Sequence, residues 1–299
     1  MTSTLAARPA QSKAVQEQHS RTGRGPALLP TAILLIGAAY CIVPALWIVV
    51  AATKSPAQLF SSSTYLPSFG AGIVDNIRDL SAYSGGVFWH WMLNSVLYAA
   101  VGGILATAVS AAAGYAIAKY EFRGRKLIFN TILAGVLLPQ IVLAVPQYLL
   151  LSQIGLVDSY FGVILPQLFN PYGIYLCRIY AAGSIPDSLL EAGRIDGASE
   201  LRLFWSVGLR LMRPGLVTTF LLQFVVVWNN FLLPFVMLTS DDKFPLTVGL
   251  YSMLRHGADE ASLYSLVVTG TLLAVIPVIA LFLSLQRYWR IDLVSGALK

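Results

Sequence analysis

The chain has 299 residues, of which 57% are apolar and only 11% charged, against about 25% charged in a typical soluble domain. So few charges cannot cover a soluble surface, and the same composition excludes a disordered chain. The net charge of +6 would suit a nucleic-acid binder, but the charges lie almost wholly between long apolar runs. That pattern makes this an integral membrane protein and leaves no role for nucleic acid.

Residues 1–26 are polar, with Ser, Gln, Arg and Pro, and read as a disordered tail. The apolar run that follows, Ala27–Thr53, is about twice as long as a secretory h-region and has no small-residue cleavage site after it. It is read as a retained first span. Five more runs long enough for a bilayer of about 30 Å follow: Met92–Ala118, Leu127–Leu150, Tyr160–Cys177, Gly215–Thr239 and Ser262–Gln286. None of the six contains Asp, Glu, Lys or Arg. They are too long for barrel strands and lack two-residue alternation, so the expected fold is all-α with six transmembrane helices. Residues 92–286 would form a five-helix core and 287–299 a C-terminal tail.

The connections set the orientation. Sixteen of the 20 Lys and Arg residues lie in the N-terminal tail, the second-to-third and fourth-to-fifth connections and the C-terminal tail. Lys54, Arg78, Lys243 and Arg255 lie on the other side. The positive-inside rule places both termini in the cytoplasm. The outer loop 54–91 is rich in Ser, Gly and Pro and ends in Phe88-Trp89-His90-Trp91, an aromatic run suited to the membrane–water boundary. Cys41 and Cys177 are expected to be buried reduced thiols. His19, His90 and His256 are too scattered for a metal site.

The spans hold no ionisable group to serve as a proton relay, and no glycine-rich phosphate loop follows a strand. Neutral polar residues remain: Gln140, Gln147, Gln167, Asn170, Gln223, Asn229 and Asn230. Gln140 and Gln147 share a face of the third span, each after a proline. Thr219, Gln223 and Asn230 share a face of the fifth, at offsets of four and seven. Such groups suit an uncharged polyhydroxylated ligand, so Gln140, Gln147, Gln223, Asn229 and Asn230 are candidates for a translocation path. The competing explanation is hydrogen bonding between helices. Gly103, Thr107, Ser110 and Gly114 form a small-residue stripe on the second span that needs only a close-packed neighbour.

The inner connection from 178 to 214 mixes both charges with apolar residues at helical spacing. Pro186 suits a first helical turn, with Ser184 or Asp187 to cap it. Leu189, Leu190 and Gly193 fall on one face, and Gly197 suits a left-handed stop. A second helix can start at Ser199 with Glu200 in its first turn. The segment reads as a short amphipathic helix, a sharp turn and a helix leading into the fifth span. That is a docking element for a partner, or a helix lying on lipid. Asp187, Glu191, Asp196 and Glu200 nearly balance the basic residues and weaken the lipid alternative.

Glu191-Ala192-Gly193, Gly197, Val207 and Leu209 resemble the EAA loop of permeases from binding-protein-dependent ABC importers. Further segments resemble the sugar-importer, maltose-type branch: Pro44-Ala45-Leu46-Trp47, Gly114-Tyr115-Ala116, Trp228-Asn229-Asn230-Phe231 and Gly296-Ala297-Leu298-Lys299. Gly193, Arg210 and Asp292 depart from that pattern, where Ala, Pro and Gly are usual. The resemblance implies a permease subunit of the bacterial inner membrane that moves sugar by alternating access and performs no catalysis. It implies a second permease, two ATPase subunits and an extracytoplasmic sugar-binding protein as partners. ATP and Mg would be bound by the ATPases, with no cofactor in this chain. Glu191, Ala192, Gly193, Asp196 and Gly197, within a coupling loop 183–213, would meet the ATPase. Another solute such as glycerol phosphate, or a stand-alone channel, are the alternatives.

Overall fold

The computed structural model describes residues 28–68, 70, 72–256 and 261–296, and among them every regular element is helical. The expected N-terminal tail lies outside the described residues, as do the last three residues of the C-terminal tail. The chain divides into two units, Met1–Trp47 and Ile48–Lys299.

Helix α1, Leu28–Ala52, is charge-free over 25 residues, about 38 Å at 1.5 Å per residue. Cys41, expected to be buried, is instead exposed on it. A side chain on a helix that is apolar all round has lipid as its solvent.

The outer loop is more structured than its composition predicts. It forms α2, Pro56–Ser61, with a reciprocal cap between Ser55 and Gln58, and α3, Gly72–Ala82. Lys54 is buried and donates to the Ser63 carbonyl. The second span then starts at Val87, ahead of the expected Met92, as α4, Val87–Lys119. The aromatic run is therefore the first turn of a helix. Phe88 and Trp91 are core residues and not interfacial anchors. The Trp91 indole donates to the Asp241 carbonyl, which satisfies its one polar atom inside the protein.

Helix α4 is the central post, packing against α8 and α11. Its small-residue stripe is used as expected. A Cβ at Gly114 would lie 2.6 Å from the Cys177 Cβ and 2.7 Å from the Arg178 nitrogen. Only glycine permits that approach of two backbones.

The later spans are broken. The third becomes α5, Arg125–Val136, and α6, Gln140–Gln153, bent by 106°. Pro139 caps α6; it has no N–H to continue a ladder and disfavours helix at the residue before it. The fourth becomes α7, Tyr160–Gln167, and α8, Pro171–Ser184, with Asn170 accepting from the Gly173 amide as the new cap. Helix α9 is Asp187–Ile195 and α10 is Glu200–Leu211, the latter with a π-helical stretch at Phe204–Gly208. A 77° bend leads into α11, Arg213–Trp228. After Asn229 and Asn230 the fifth span resumes as α12, Leu232–Met237. The chain ends with α13, Leu246–His256, and α14, Ala261–Gly296.

Among the described residues three helices are long and apolar enough to cross a membrane alone, and five crossings result if each bent pair counts as one. The six continuous rods expected from hydropathy are thus replaced by fewer rods and several broken ones. Hydropathy sums over a break without registering it.

Candidate functional site

Three of the breaks meet at one place. A cavity of about 540 Å³ is lined by Gln140, Gln147, Gln167, Asn170, Gln223, Asn229 and Asn230, together with apolar and aromatic residues that include Tyr172 and Phe231. Gln140 stands at the first turn of α6, Gln167 and Asn170 flank the α7–α8 break, and Asn229 and Asn230 fill the α11–α12 break. All five expected path residues therefore share this cavity.

Some of these groups also bond within the chain. The Asn170 amide donates to the Gln223 side-chain oxygen at 2.7 Å, and the Gln223 amide donates to the Gln167 carbonyl at 3.3 Å. Asn229 donates to the Val225 carbonyl, and the Asn230 side-chain oxygen accepts from the Leu233 amide. Each spends one polar atom closing a broken helix end. Thr219 does not join them. It is buried against Cys177, with its hydroxyl 3.6 Å from the sulfur, and does not line the cavity. Of the stripe at offsets four and seven, Gln223 and Asn230 reach the cavity although α11 ends at Trp228, and Thr219, one turn before Gln223, packs against α8 instead. Gln167 and Asn170 were omitted from the expected path; the Asn-Pro start of α8 was the signal that a break puts them there.

The opposite ends of the same elements are tied by Asp158, between α6 and α7. Its carboxylate accepts from the Thr239 and Ser240 amides at 3.0 Å each, from the Ser240 hydroxyl, and from Lys243 at 2.9 Å. Its own amide donates to the Met237 carbonyl. The Ser240 hydroxyl, followed by the Thr239 amide, the Lys243 ammonium and the Ser240 amide, holds this carboxyl well below the usual carboxylate range.

The inner loop folds as the spacing predicts, with one difference at its start. Pro186 caps α9, and neither Ser184 nor Asp187 supplies a side-chain cap. Asp187 pairs instead with Lys119 at 2.8 Å, which lowers its pKa. Leu190 is the one residue of α9 that is buried, against Leu203, Ile185 and Tyr115. Gly197 has φ +81° and open space around a notional Cβ, so its requirement is the left-handed backbone. Ser199 caps α10 through the Arg202 amide. A Cβ at Gly193 would lie 2.5 Å from Leu203 Cδ2, the tip of a side chain that would have to turn to admit it. The departure at Arg210 needs no turn, since α10 runs through it to Leu211. The side chain of Asp292 lies outside the described residues.

Glu191, Ala192, Asp196 and Gly197 are exposed on this loop and Gly193 is half-buried. Beside them stand exposed Leu189, Ile195, Leu201 and Trp205, with Ile195 at 87% exposure. Arg194 binds Glu200 through two nitrogens, at 2.7 and 3.3 Å. That contact lowers the Glu200 pKa and raises that of Arg194. Among the described residues no group of three or more His, Cys, Asp or Glu could hold a metal ion.

Residues 103–290 match the family described as the binding-protein-dependent transport system inner membrane component. The arabinooligosaccharides transport system permease protein AraQ of Halalkalibacterium halodurans is 36% identical over 214 residues, 72% of this chain and 75% of its own. The sn-glycerol-3-phosphate transport system permease protein UgpE of Salmonella typhimurium is 31% identical over 281 residues, 91% and 98% of the two chains. A solved bacterial ABC transporter involved in the import of the acidic polysaccharide alginate contains a chain of the same fold. Its TM-score is 0.73 at 24% identity, covering 94% of this chain and 99% of that one.

Proposed function

Because this chain belongs to the binding-protein-dependent transport system inner membrane component family, we propose that it is one permease subunit of an ATP-driven importer of an uncharged sugar. The observation that carries the substrate class is the lining of the cavity: seven neutral amide side chains and no Lys, Arg, Asp or Glu. Amides offer donors and acceptors to hydroxyl groups at no cost of burying a charge. The arabinooligosaccharide relative supports this reading. The glycerol-phosphate relative favours a second one, a phosphate ester; that ligand calls for a cation in the path, which a second permease would have to supply.

In this reading six crossings are made by α1, α4, α5 with α6, α7 with α8, α11 with α12, and α14. The excess of Lys and Arg keeps the α9–α10 loop and both termini in the cytoplasm. The partners are a second permease, two ATPases that bind ATP and Mg, and an extracytoplasmic sugar-binding protein. This chain does no covalent chemistry. Transport follows if ATP and sugar favour different conformations of the assembly.

The docking surface is Glu191, Ala192, Gly193, Asp196 and Gly197, flanked by the exposed apolar side chains. Glu191 has no partner among the described residues, so its charge is free for one on the ATPase. Replacing Gly197 forces a side chain into a left-handed backbone at about 1–2 kcal/mol, and truncating one partner of a buried, hydrogen-bonded charge pair at an interface costs about 2–5 kcal/mol. Glu191→Ala with Gly197→Asp is therefore expected to leave a membrane-inserted permease pair that no longer retains its ATPase. Co-purification of the ATPase at the wild-type level would remove the docking assignment, because a helix resting on lipid loses little with one acid.

A further inference from the structure

Lys119 and Tyr120 are consecutive residues at the cytoplasmic end of α4, yet Lys119 meets the start of the docking helix α9 and Tyr120 meets Glu200, the first residue of α10, which holds the far end of α9 through Arg194. The Lys119 side chain is only 5% exposed, and its ammonium donates to the Ile185 carbonyl and to Asp187 at the start of α9. The Tyr120 hydroxyl donates at 3.0 Å to Glu200, which also holds Arg194, at the end of α9. Burial and the Glu200 contact raise the Tyr120 pKa, so the hydroxyl stays a donor. Between these two anchors Leu190 is the one buried side chain of α9. Helix α9 is thus a short rod fixed at both ends to one rigid post.

The post leads to the cavity. At Gly114 the α4 backbone is jammed against α8 at Cys177 and Arg178. Helix α8 begins at Asn170, the residue that holds Gln223 in the cavity wall. The links are a close backbone packing at Gly114, charge-assisted hydrogen bonds at Lys119 and Glu200, and a neutral amide bond from Asn170 to Gln223; close-packed contacts of this kind yield by discrete rearrangement.

The geometry points to Lys119 and Tyr120, with Asp187 and Glu200, as positioning residues that transmit displacement of the docking helix to the cavity, as a strut separate from the surface that binds the ATPase. This inference rests on the reading of α9 as the ATPase dock. It separates binding from coupling. Variants at the strut retain the ATPase, because Glu191 and the exposed apolar residues are untouched.

The test uses the assembled transporter and needs no knowledge of the sugar. In a Cys41→Ser background, Gln140→Cys reports cavity access through its rate of labelling by a small maleimide, with and without ATP and vanadate. The background is expected to show a change of about tenfold, equal to about 1.4 kcal/mol of preference between states. Lys119→Met with Glu200→Gln is expected to reduce that change to less than about twofold, while ATPase co-purification and basal ATP hydrolysis persist. Lys119→Met combined with Asp187→Ala is expected to do no more than Lys119→Met alone, since both remove one shared contact. Tyr120→Phe and Asp187→Ala, which leave no buried charge without a carbonyl partner, replace the lysine variant if it fails to assemble.

An unchanged ATP response in the strut variants overturns the inference and leaves the docking assignment standing. Loss of ATPase in step with the ATP response also overturns it, because the four residues would then only shape the docking surface. A background transporter that retains no ATPase refutes the docking assignment itself.

Discussion

Replacing Gln223 tests whether the amides of the cavity serve a ligand or only each other. Gln223→Leu removes two contacts, the 2.7 Å bond from Asn170 and the 3.3 Å bond to the Gln167 carbonyl. A neutral hydrogen bond has a net value of about 1 kcal/mol, and in a membrane bundle about 0.6 kcal/mol on average. Two such bonds give about 1–2 kcal/mol. Because the freed Asn170 amide faces a cavity of about 540 Å³, water can take the place of the lost partner, so the cost falls toward the lower figure. Asn170 keeps its own cap on α8 through the Gly173 amide, so the break itself survives. Leucine conserves most of the volume, and the bundle should assemble. Adding Asn230→Leu removes a second amide whose helix-end contact is long, 3.4 Å to the Leu233 amide. The double variant is thus expected to assemble at near wild-type yield, with a modest drop in thermal stability. Its uptake of the sugar retained by the binding protein should fall about tenfold or more, since a polar ligand then leaves its own hydroxyls unpaired in the cavity. Purified complex, a thermal melt and uptake into proteoliposomes measure the three quantities. Wild-type uptake in a stable double variant would refute the reasoning, leaving Gln223 as a tie between helices and nothing more.

Two further predictions concern topology and the outer tether. Cysteines at Ser188 and Ser199 should react with an impermeant reagent only from the cytoplasm, and those at Ser63 and Ser240 only from outside, because 16 of the 20 basic residues lie on the side of the first pair; outside labelling at Ser188 would sink the topology. Asp158 carries a lowered pKa, so its stabilisation is complete above the ordinary value of 3.8 and is lost only as pH falls through the lower folded value. Amide exchange at Thr239 and Ser240 should therefore stay slow from neutral pH down to about 4, while Asp158→Asn should speed it throughout that range. Equal exchange in the two proteins would show that the carboxylate does not hold this loop.

The membrane class and the helical fold were legible because they depend on composition and run length, which no tertiary contact alters. The loop from 187 to 211 was legible for a related reason. Gly197 and Ser199 act through their own backbone, so a turn and a cap can be read from a few adjacent residues. The neutral amides were legible as a set, since they are the polar groups of charge-free runs. What sequence could not give was their convergence. Spacing put Thr219 with Gln223 and Asn230, but Thr219 lies one turn nearer the inner loop, where α11 packs against Cys177 of α8 and not on the cavity. Burial of Phe88 and Trp91 depends on α13, α14 and the loop at Asp241, about 150 residues away. The strut depends likewise on contacts from Lys119 and Tyr120 that span 66 to 80 residues. Nothing local to either end announces such pairs.

Breaks and cavity are one feature of this fold. Interrupting a helix inside a bilayer frees amides and carbonyls that lipid cannot satisfy, so irregular backbone at that depth is tolerated only beside protein or water. Pro139, the pair Asn170-Pro171 and the pair Asn229-Asn230 each interrupt a helix, and each brings an amide side chain to the same place. Two of the breaks are closed by those same amides, Asn170 capping α8 and Asn229 and Asn230 the facing ends of α11 and α12, and the cavity lies where the three breaks meet. Helix α11 leaves the inner loop at Arg213 and reaches the cavity at Gln223, about 15 Å at 1.5 Å per residue. It packs on α4, as α8 does. The two helices that carry Asn170 and Gln223 into the cavity wall therefore share one neighbour, α4, while α6, which carries Gln140 and Gln147, packs on α12 and is set off from α5 by its own 106° bend.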